Sequence, residues 1–329
     1  MSKGWKIAIS IISSFLGLII IFLGVYYLWP WNKDFFDKAK VEFKIPGLDT
    51  KFTPQGMTTI DGTDKFIICG YMTDGTASRF YVINDGKVEK YFTLTQAGED
   101  YKGHAGGLTS YGNTLWVAGD KNCYRFSLSD VNSCENGGKV IILDSFQTNN
   151  GADFVYNSDG FLWVGEFYKK DKYETDDSHK IKTPSGEINS AIVFGYEIDQ
   201  SKGYGLVNQA PLPSKALSIR GLCQGIAVTQ DGKFVLSTSY SVADSHLYYY
   251  ENVLAKEKDS TISIGIHEVD LWYLDNNSLI KEITIPSMSE EIVIKNNTLY
   301  ILFESGAKKY KVFNRKQLSN VYSIPVDSL

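Results

Sequence analysis

Five times along this chain a short apolar segment is followed by a tight turn and further apolar or alternating segments. The first unit opens on Gln55-Gly56-Met57-Thr58-Thr59 and continues through 65–71, 78–84 and 88–94. The second opens at Gly106-Gly107-Leu108 and runs through 114–120, 123–129 and 139–145. The third opens at Ala152-Asp153-Phe154, then 161–167, 191–199 and a weak segment near 206–209. The fourth opens at Gln224-Gly225-Ile226, then 233–239 and 245–252. The fifth opens at Glu290-Glu291-Ile292, then 298–305 and 308–314. Each unit carries a turn between its first two segments: Asp61-Gly62, Tyr111-Gly112-Asn113, Asp159-Gly160, Asp231-Gly232 and Asn296-Asn297. Such pairs supply the positive φ that two-residue hairpins demand. Alternation at period two bounded by turn residues reads as strand.

About four antiparallel strands repeated radially make a β-propeller blade. The expected fold is therefore all-β, a propeller of five blades, with six as the runner-up if 269–286 forms most of another unit. The units average about 58 residues against the ~40–45 of a lean propeller repeat, the excess lying in insertions at 168–190 and 253–268. The fifth unit lacks a strand, and 41–45 is placed to supply it and close the ring, which removes exposed sheet edges. Aromatic residues support the reading. The chain holds 21 Tyr, 18 Phe and 6 Trp, residue types that fit pleated, half-buried surfaces. Trp116, Trp163, Phe234 and Tyr300 recur in the second strand of their units and are assigned to core between blades rather than to a sugar-binding column.

Ahead of the repeat, residues 7–29 carry no charge. A helix over that run spans the ~30 Å hydrocarbon core. Tyr26, Tyr27, Trp29 and Trp31 form an interfacial aromatic belt, and Pro30 stops the helix. The run is longer than a signal-peptide core and ends in bulky residues, so an uncleaved anchor is preferred over a cleaved signal. Lys3 and Lys6 precede it, while Lys33, Lys38, Lys40 and Lys44 follow, so the charge count does not favour the N-terminus inside. Its resemblance to an export signal does. The expected division is a cytoplasmic tail at 1–6, an anchor at 7–29, a stalk at 30–40 and the propeller at 41–329, outside the cytoplasm. Partners follow from that: the lipid bilayer through 7–29, and an extracellular protein, glycan or small molecule. The 33 basic and 38 acidic residues give a net charge of −5, which excludes the basic footprint of a nucleic-acid binder.

In a propeller the first strand of each blade lines the centre, and its start shares a rim with the end of the second strand. That rim collects Gln55, Gln224 and Glu290, with Asp153, His104 and Glu291 nearby. Strand-two ends add Asp120, Glu166 and Glu304. Following loops add Asp74, Arg79, Tyr168, Tyr240 and His246. One reading is a ligand pocket, with Glu290, Asp153 and His104 as a metal set suited to calcium or magnesium, although no cofactor is required. The other is that these groups bind water and cap strand ends. His179 sits in the charged stretch KKDKYETDDSHK, read as a solvated loop, and His267 carries no assignment. Cys123 and Cys134 either pair or remain thiols, and Cys69 and Cys223 read as core. Neither a Cys-x-x-Cys zinc spacing, a phosphate-binding loop nor a nucleophile elbow is present.

Several segments carry a resemblance. The stretch 224–239, QGIAVTQDGKFVLSTS, resembles the opening hairpin of lactonase and senescence-marker propellers. Residues 51–82 resemble the first blade of the five-bladed glutamine cyclotransferases. The pieces WVGEFY, STSYSVADSH, PSMSE and ILFESGAKKY resemble a group of exported, membrane-anchored bacterial propellers of no assigned activity. The lactonase resemblance implies a glutamate where Gln55 stands, and the cyclotransferase resemblance implies one where Ile67 and Ile68 stand. Two function classes remain open. One is a binding module working through the central mouth. The other is a hydrolase or cyclotransferase with Glu166 or Glu290 as general base, assisted by His104.

Overall fold

The computed structural model describes residues 3–28, 31–311, 314 and 316–329. Trp29 and Pro30, expected in the aromatic belt and as the helix stop, lie outside the described residues, as does the side chain of Tyr27. Helix α1 runs Lys3–Leu28, about 39 Å at 1.5 Å per residue, and none of its apolar window is buried in protein. By length and composition it can cross a membrane.

Five β-sheets surround one centre. Their innermost strands are Phe52–Thr59, Gly107–Tyr111, Phe154–Ser158, Cys223–Val228 and Ser289–Lys295. Each packs on the next, and the last packs on the first. The fold is a five-bladed β-propeller. The hairpin turns carry the backbone their residues were chosen for: φ is +69° at Gly62, +56° at Gly112, +76° at Gly160, +79° at Gly232, and +50° and +57° at Asn296 and Asn297. Blade five closes as expected, Lys40–Lys44 pairing antiparallel with Asn320–Pro325.

Four assignments of outer strands shift. The segment 139–145 divides. Gly138–Ile141 joins blade one, parallel to Lys87–Gln96, because Val140 enters a core with Phe92 and Leu94. Asp144–Gln147 becomes the fourth strand of blade two, where Arg125 Nε donates to Asp144 Oδ1 at 2.8 Å. In blade three the fourth strand is Lys215–Ile219 rather than the segment near 206–209. The stretch 269–286 builds no sixth blade. His267–Tyr273 and Ser260–Ile264 extend blade three, and Leu279–Ile285 completes blade four. In blade five the third strand is Asn320–Pro325, while Lys308–Tyr310 forms a 3-10 turn. The rest of the expected 308–314 strand includes Val312 and Phe313, outside the described residues.

The aromatic column is core. Trp116, Trp163 and Phe234 are buried, and Tyr300 is half-buried. Trp163 meets Phe234 of the next blade edge-on at 6.3 Å. All four cysteines are free. Cys123 packs in one core cluster and Cys134 against another, which is why they do not pair. The stalk is not a loose tether. Short helix α2, Lys33–Lys38, drives Phe35 into the core shared by blades four and five, against Phe303 at 6.1 Å and Tyr322 at 5.9 Å. Just before it, Asn32 Nδ2 donates to Asp244 Oδ1 at 3.1 Å.

Candidate functional site

The starts of the inner strands carry bulges. Pairing shifts between Pro54 and Gly56, between Cys223 and Gly225, and between Ser289 and Ile292. The extra residues are Gln55, Gln224, and Glu290 with Glu291. A bulge frees a side chain from strict up-down alternation and re-aims it. In blade five the double insertion lets two adjacent glutamates both turn into protein, and both are buried. The positions aligned by the repeat are thus the positions the bulges aim at the centre.

Glu291 lies where the inner strands converge. Its carboxylate accepts from the amide of Leu108 at 2.9 Å, from that of Met57, and from that of Val155. One side chain from blade five therefore satisfies donors of blades one, two and three. Glycine makes room for it, since a Cβ on Gly107 would stand 2.9 Å from Glu291 Oε1 and 2.5 Å from Val155 N. Burial pushes the Glu291 pKa well up, against the downward pull of the three amides.

Glu290 meets Glu304, which follows the second strand of its own blade. Burial and the Glu304 charge hold the Glu290 carboxyl well above the carboxylate range. Burial raises Glu304 to about 7, opposed by hydrogen bonds from Tyr310, Glu290 and Gln55. Two carboxyls in hydrogen-bonding contact share a proton and titrate as a pair. Gln55 Nε2 donates to Glu304 Oε2 at 2.9 Å. Tyr310 links Glu304 to Tyr71, and Lys309 Nζ donates to the Tyr71 hydroxyl at 2.7 Å. His104 stacks on the Tyr71 ring at 4.8 Å. It is open to the mouth, and its surroundings lower its pKa, chiefly by desolvation, with Lys309 adding and Asp120 opposing. A continuous polar chain thus runs from the buried pair out to an exposed lysine.

The other expected residues divide. Asp153 sits half-buried at the mouth, raised to about 6 by desolvation and by the charges of Glu166 and Asp120, against a 2.7 Å hydrogen bond from the Phe167 amide. Asp120 is exposed beside this group and Gln224 half-buried at its bulge. Glu166 is fully committed elsewhere. It contacts His179 Nδ1 at 2.6 Å and accepts from the amides of Ile192 at 3.0 Å and Gly151 at 3.2 Å. His179 is therefore buried rather than solvated, and the 168–190 insertion is tied to the blade. These contacts hold the insertion against the blade. Tyr240 stacks near Phe167 under the ammonium groups of Lys169 and Lys172, and Tyr168 lies under Lys180. Three residues share this face but stand away from the centre. Asp74 is exposed in a turn with Thr76, Arg79 lies over Tyr91, and His246 pairs with Glu282 at 2.8 Å. Among the described residues no three His, Cys, Asp or Glu side chains come together as a metal cage, so Glu290, Asp153 and His104 do not assemble into one. A cavity of about 540 Å³ lined by Gln230, Asp231 and Tyr249 contains none of these groups.

Sequence reasoning missed Tyr71, Tyr310, Lys309 and the role of His179. Tyr71 had a signal, since it closes the second strand of blade one at the level of Asp120, Glu166 and Glu304. The others reach the centre from loops.

No protein-family model matches this chain, and no curated protein matches it. Among solved structures, it is similar to a luciferin-regenerating enzyme at 12% identity, over 87% of this chain and 95% of that one, TM-score 0.44. A PQQ-bound aldose sugar dehydrogenase from Streptomyces coelicolor matches at 9% identity over 87% and 97%, TM-score 0.44. A carbohydrate-active enzyme of family AA12 from Trichoderma reesei matches at 13% identity over 81% and 76%, TM-score 0.45. These likenesses concern the fold alone.

Proposed function

We propose that this protein is a membrane-tethered, extracytoplasmic propeller that binds a ligand through its central mouth. The observation that carries the reading is the hydrogen-bonded Glu290–Glu304 pair, joined by Gln55 and Tyr310 and wired to Lys309. Holding two carboxyls together with Glu290 buried and Glu304 half-buried costs stability that a purely structural strand cap does not need. A ligand with a positive centre, a protonated amine or a divalent cation such as calcium or magnesium, replaces the shared proton and recovers that cost.

The test is thermal unfolding of the full chain in detergent with calcium chloride, magnesium chloride, and a panel of small amines, amino sugars and peptides. A ligand at a hundred times its Kd stabilises by about 2.7 kcal/mol, or roughly 5 °C for a domain of this size. The expected result is a shift of that order in the wild type that Glu290→Gln and Glu304→Gln abolish. A shift unchanged in both variants, or no shift with any member of the panel, refutes the reading. The same pair supports a second one: a carboxyl near 7 suits general acid–base work. Turnover of lactones or peptides with N-terminal glutamine, lost in Glu290→Gln and kept in Glu166→Gln, favours an enzyme.

A further inference from the structure

The place where α2 docks decides which face of the propeller meets the membrane. Asn32 is held by Asp244, in the loop that precedes the strand Ser245–Tyr250. That loop belongs to the face where inner strands start and second strands end, because Cys223 lies opposite Thr238, and Thr238 lies opposite His246. It is the face of Glu290, Glu304 and His104. Phe35 then carries the chain down the side of blades four and five. Only four residue steps separate Leu28, the last residue of α1, from Asn32. Fully extended they reach about 14 Å. An eight-residue inner strand such as Phe52–Thr59 is itself about 26 Å long. The linker is too short to come around from the opposite face.

The chemistry of this face agrees. Two of its loops are dense in lysine and tyrosine: Tyr168-Lys169-Lys170-Asp171-Lys172-Tyr173 in blade three and Lys308-Lys309-Tyr310-Lys311 in blade five. Tyr173 is 48% exposed and Val242, beside Asp244, is 36% exposed. Two of the acids that follow the first loop are paired with a lysine beyond it, Lys180 bridging Glu174 at 2.8 Å and Asp177 at 2.9 Å. Exposed Tyr with Lys is the composition of segments that sit among headgroups, and lysines are drawn to anionic ones.

We infer that the mouth of the propeller opens onto the bilayer that holds α1, with the loops 168–173 and 308–311 against its anionic phosphate headgroups. The inference rests on the reading of α1 as a membrane anchor. It makes the ligand of the central site a molecule presented by the membrane surface rather than one arriving from bulk solvent.

The full chain in nanodiscs tests it, with phosphatidylglycerol and phosphatidylcholine at one to three and a nitroxide on a fraction of the headgroups. A fluorophore is placed singly at Val242→Cys, at Lys102→Cys across the mouth, and at Ile266→Cys, all in a Cys134→Ser background that leaves only buried native thiols. Ile266 is 95% exposed in the turn between 260–264 and 267–273, on the opposite face. The expected result is loss of at least half the emission at Val242 and Lys102, and of less than a tenth at Ile266. Quenching at Ile266 equal to or above that at Lys102 overturns the placement while leaving the anchor intact. A chain found outside the nanodisc fraction overturns the anchor and the placement together. Replacing Lys169, Lys170 and Lys172 by Ser is expected to reduce Lys102 quenching at least twofold, and no change overturns the assignment of anionic headgroups as the partner.

Discussion

Removing Glu304's titration should change how the fold responds to pH. Its carboxyl rises from the ordinary 4.5 to about 7 in the folded chain, with burial as the leading cause. The folded state then holds a proton that the unfolded state has already released between those values. Stability from this group is full below pH 4.5 and is lost as pH rises through 7. A displacement of about 2.5 units corresponds to about 3 kcal/mol, a large part of the 5–15 kcal/mol of a typical domain. Guanidinium unfolding of the full chain in mild detergent, followed by tryptophan fluorescence from pH 5 to 8, reads this directly. Wild type should lose about 3 kcal/mol across the range through this group. Glu304→Gln, which keeps the shape and a hydrogen bond to Glu290, should flatten that part of the curve and leave a shallower loss. The remainder belongs to Asp153, whose carboxyl is raised to about 6 by the same cause, and to Glu290 and Glu291, which burial also holds well above the carboxylate range. Parallel curves for wild type and Glu304→Gln would show that the pair does not share a proton, and the binding reading would lose its main support.

Two further outcomes are expected. Glu291→Leu strands up to three buried amides at about 1–3 kcal/mol each, so a loss of roughly 3–6 kcal/mol in the same unfolding assay is expected, with Glu291→Gln losing less than half as much. Equal losses would show that volume, not hydrogen bonding, is what Glu291 supplies. Glu166→Gln weakens the tie to His179 and should speed tryptic cleavage within 168–190 several-fold while Tm falls by only a few degrees; an unchanged cleavage rate would count against Glu166 as the holder of that insertion.

The fold was legible because turn chemistry repeats. Asp-Gly and Asn-Asn fix where a hairpin reverses whatever surrounds it, so the first two strands of each blade were placed correctly. Outer strands are chosen by partners distant in sequence. Gly138–Ile141 looks like any strand following its own blade, yet Val140 finds its core beside Phe92. Nothing local says that. The centre follows the same division. Gln55 and Glu290 sit on strands, Glu304 directly follows one, and all three were found by aligning units. Tyr310, Lys309 and His179 come from loops, and the distance from Lys309 to Tyr71 depends on how blade five meets blade one. The expected metal set does not assemble for that reason too: Asp153 starts blade three and Glu290 blade five, and a shared rim does not bring them together.

The pairing of Lys40–Lys44 with Asn320–Pro325 has a consequence for biosynthesis. Lys40–Lys44 waits for a partner made about 275 residues later. At 5–20 residues per second that interval is on the order of half a minute, during which blade five has no third strand and blades one and four lack a neighbour on one side. An unpaired edge invites other chains. A nonsense codon or a stalled ribosome near residue 319 would therefore not yield a slightly shortened protein. It would yield an open arc, which quality-control proteases would meet as an unfinished chain.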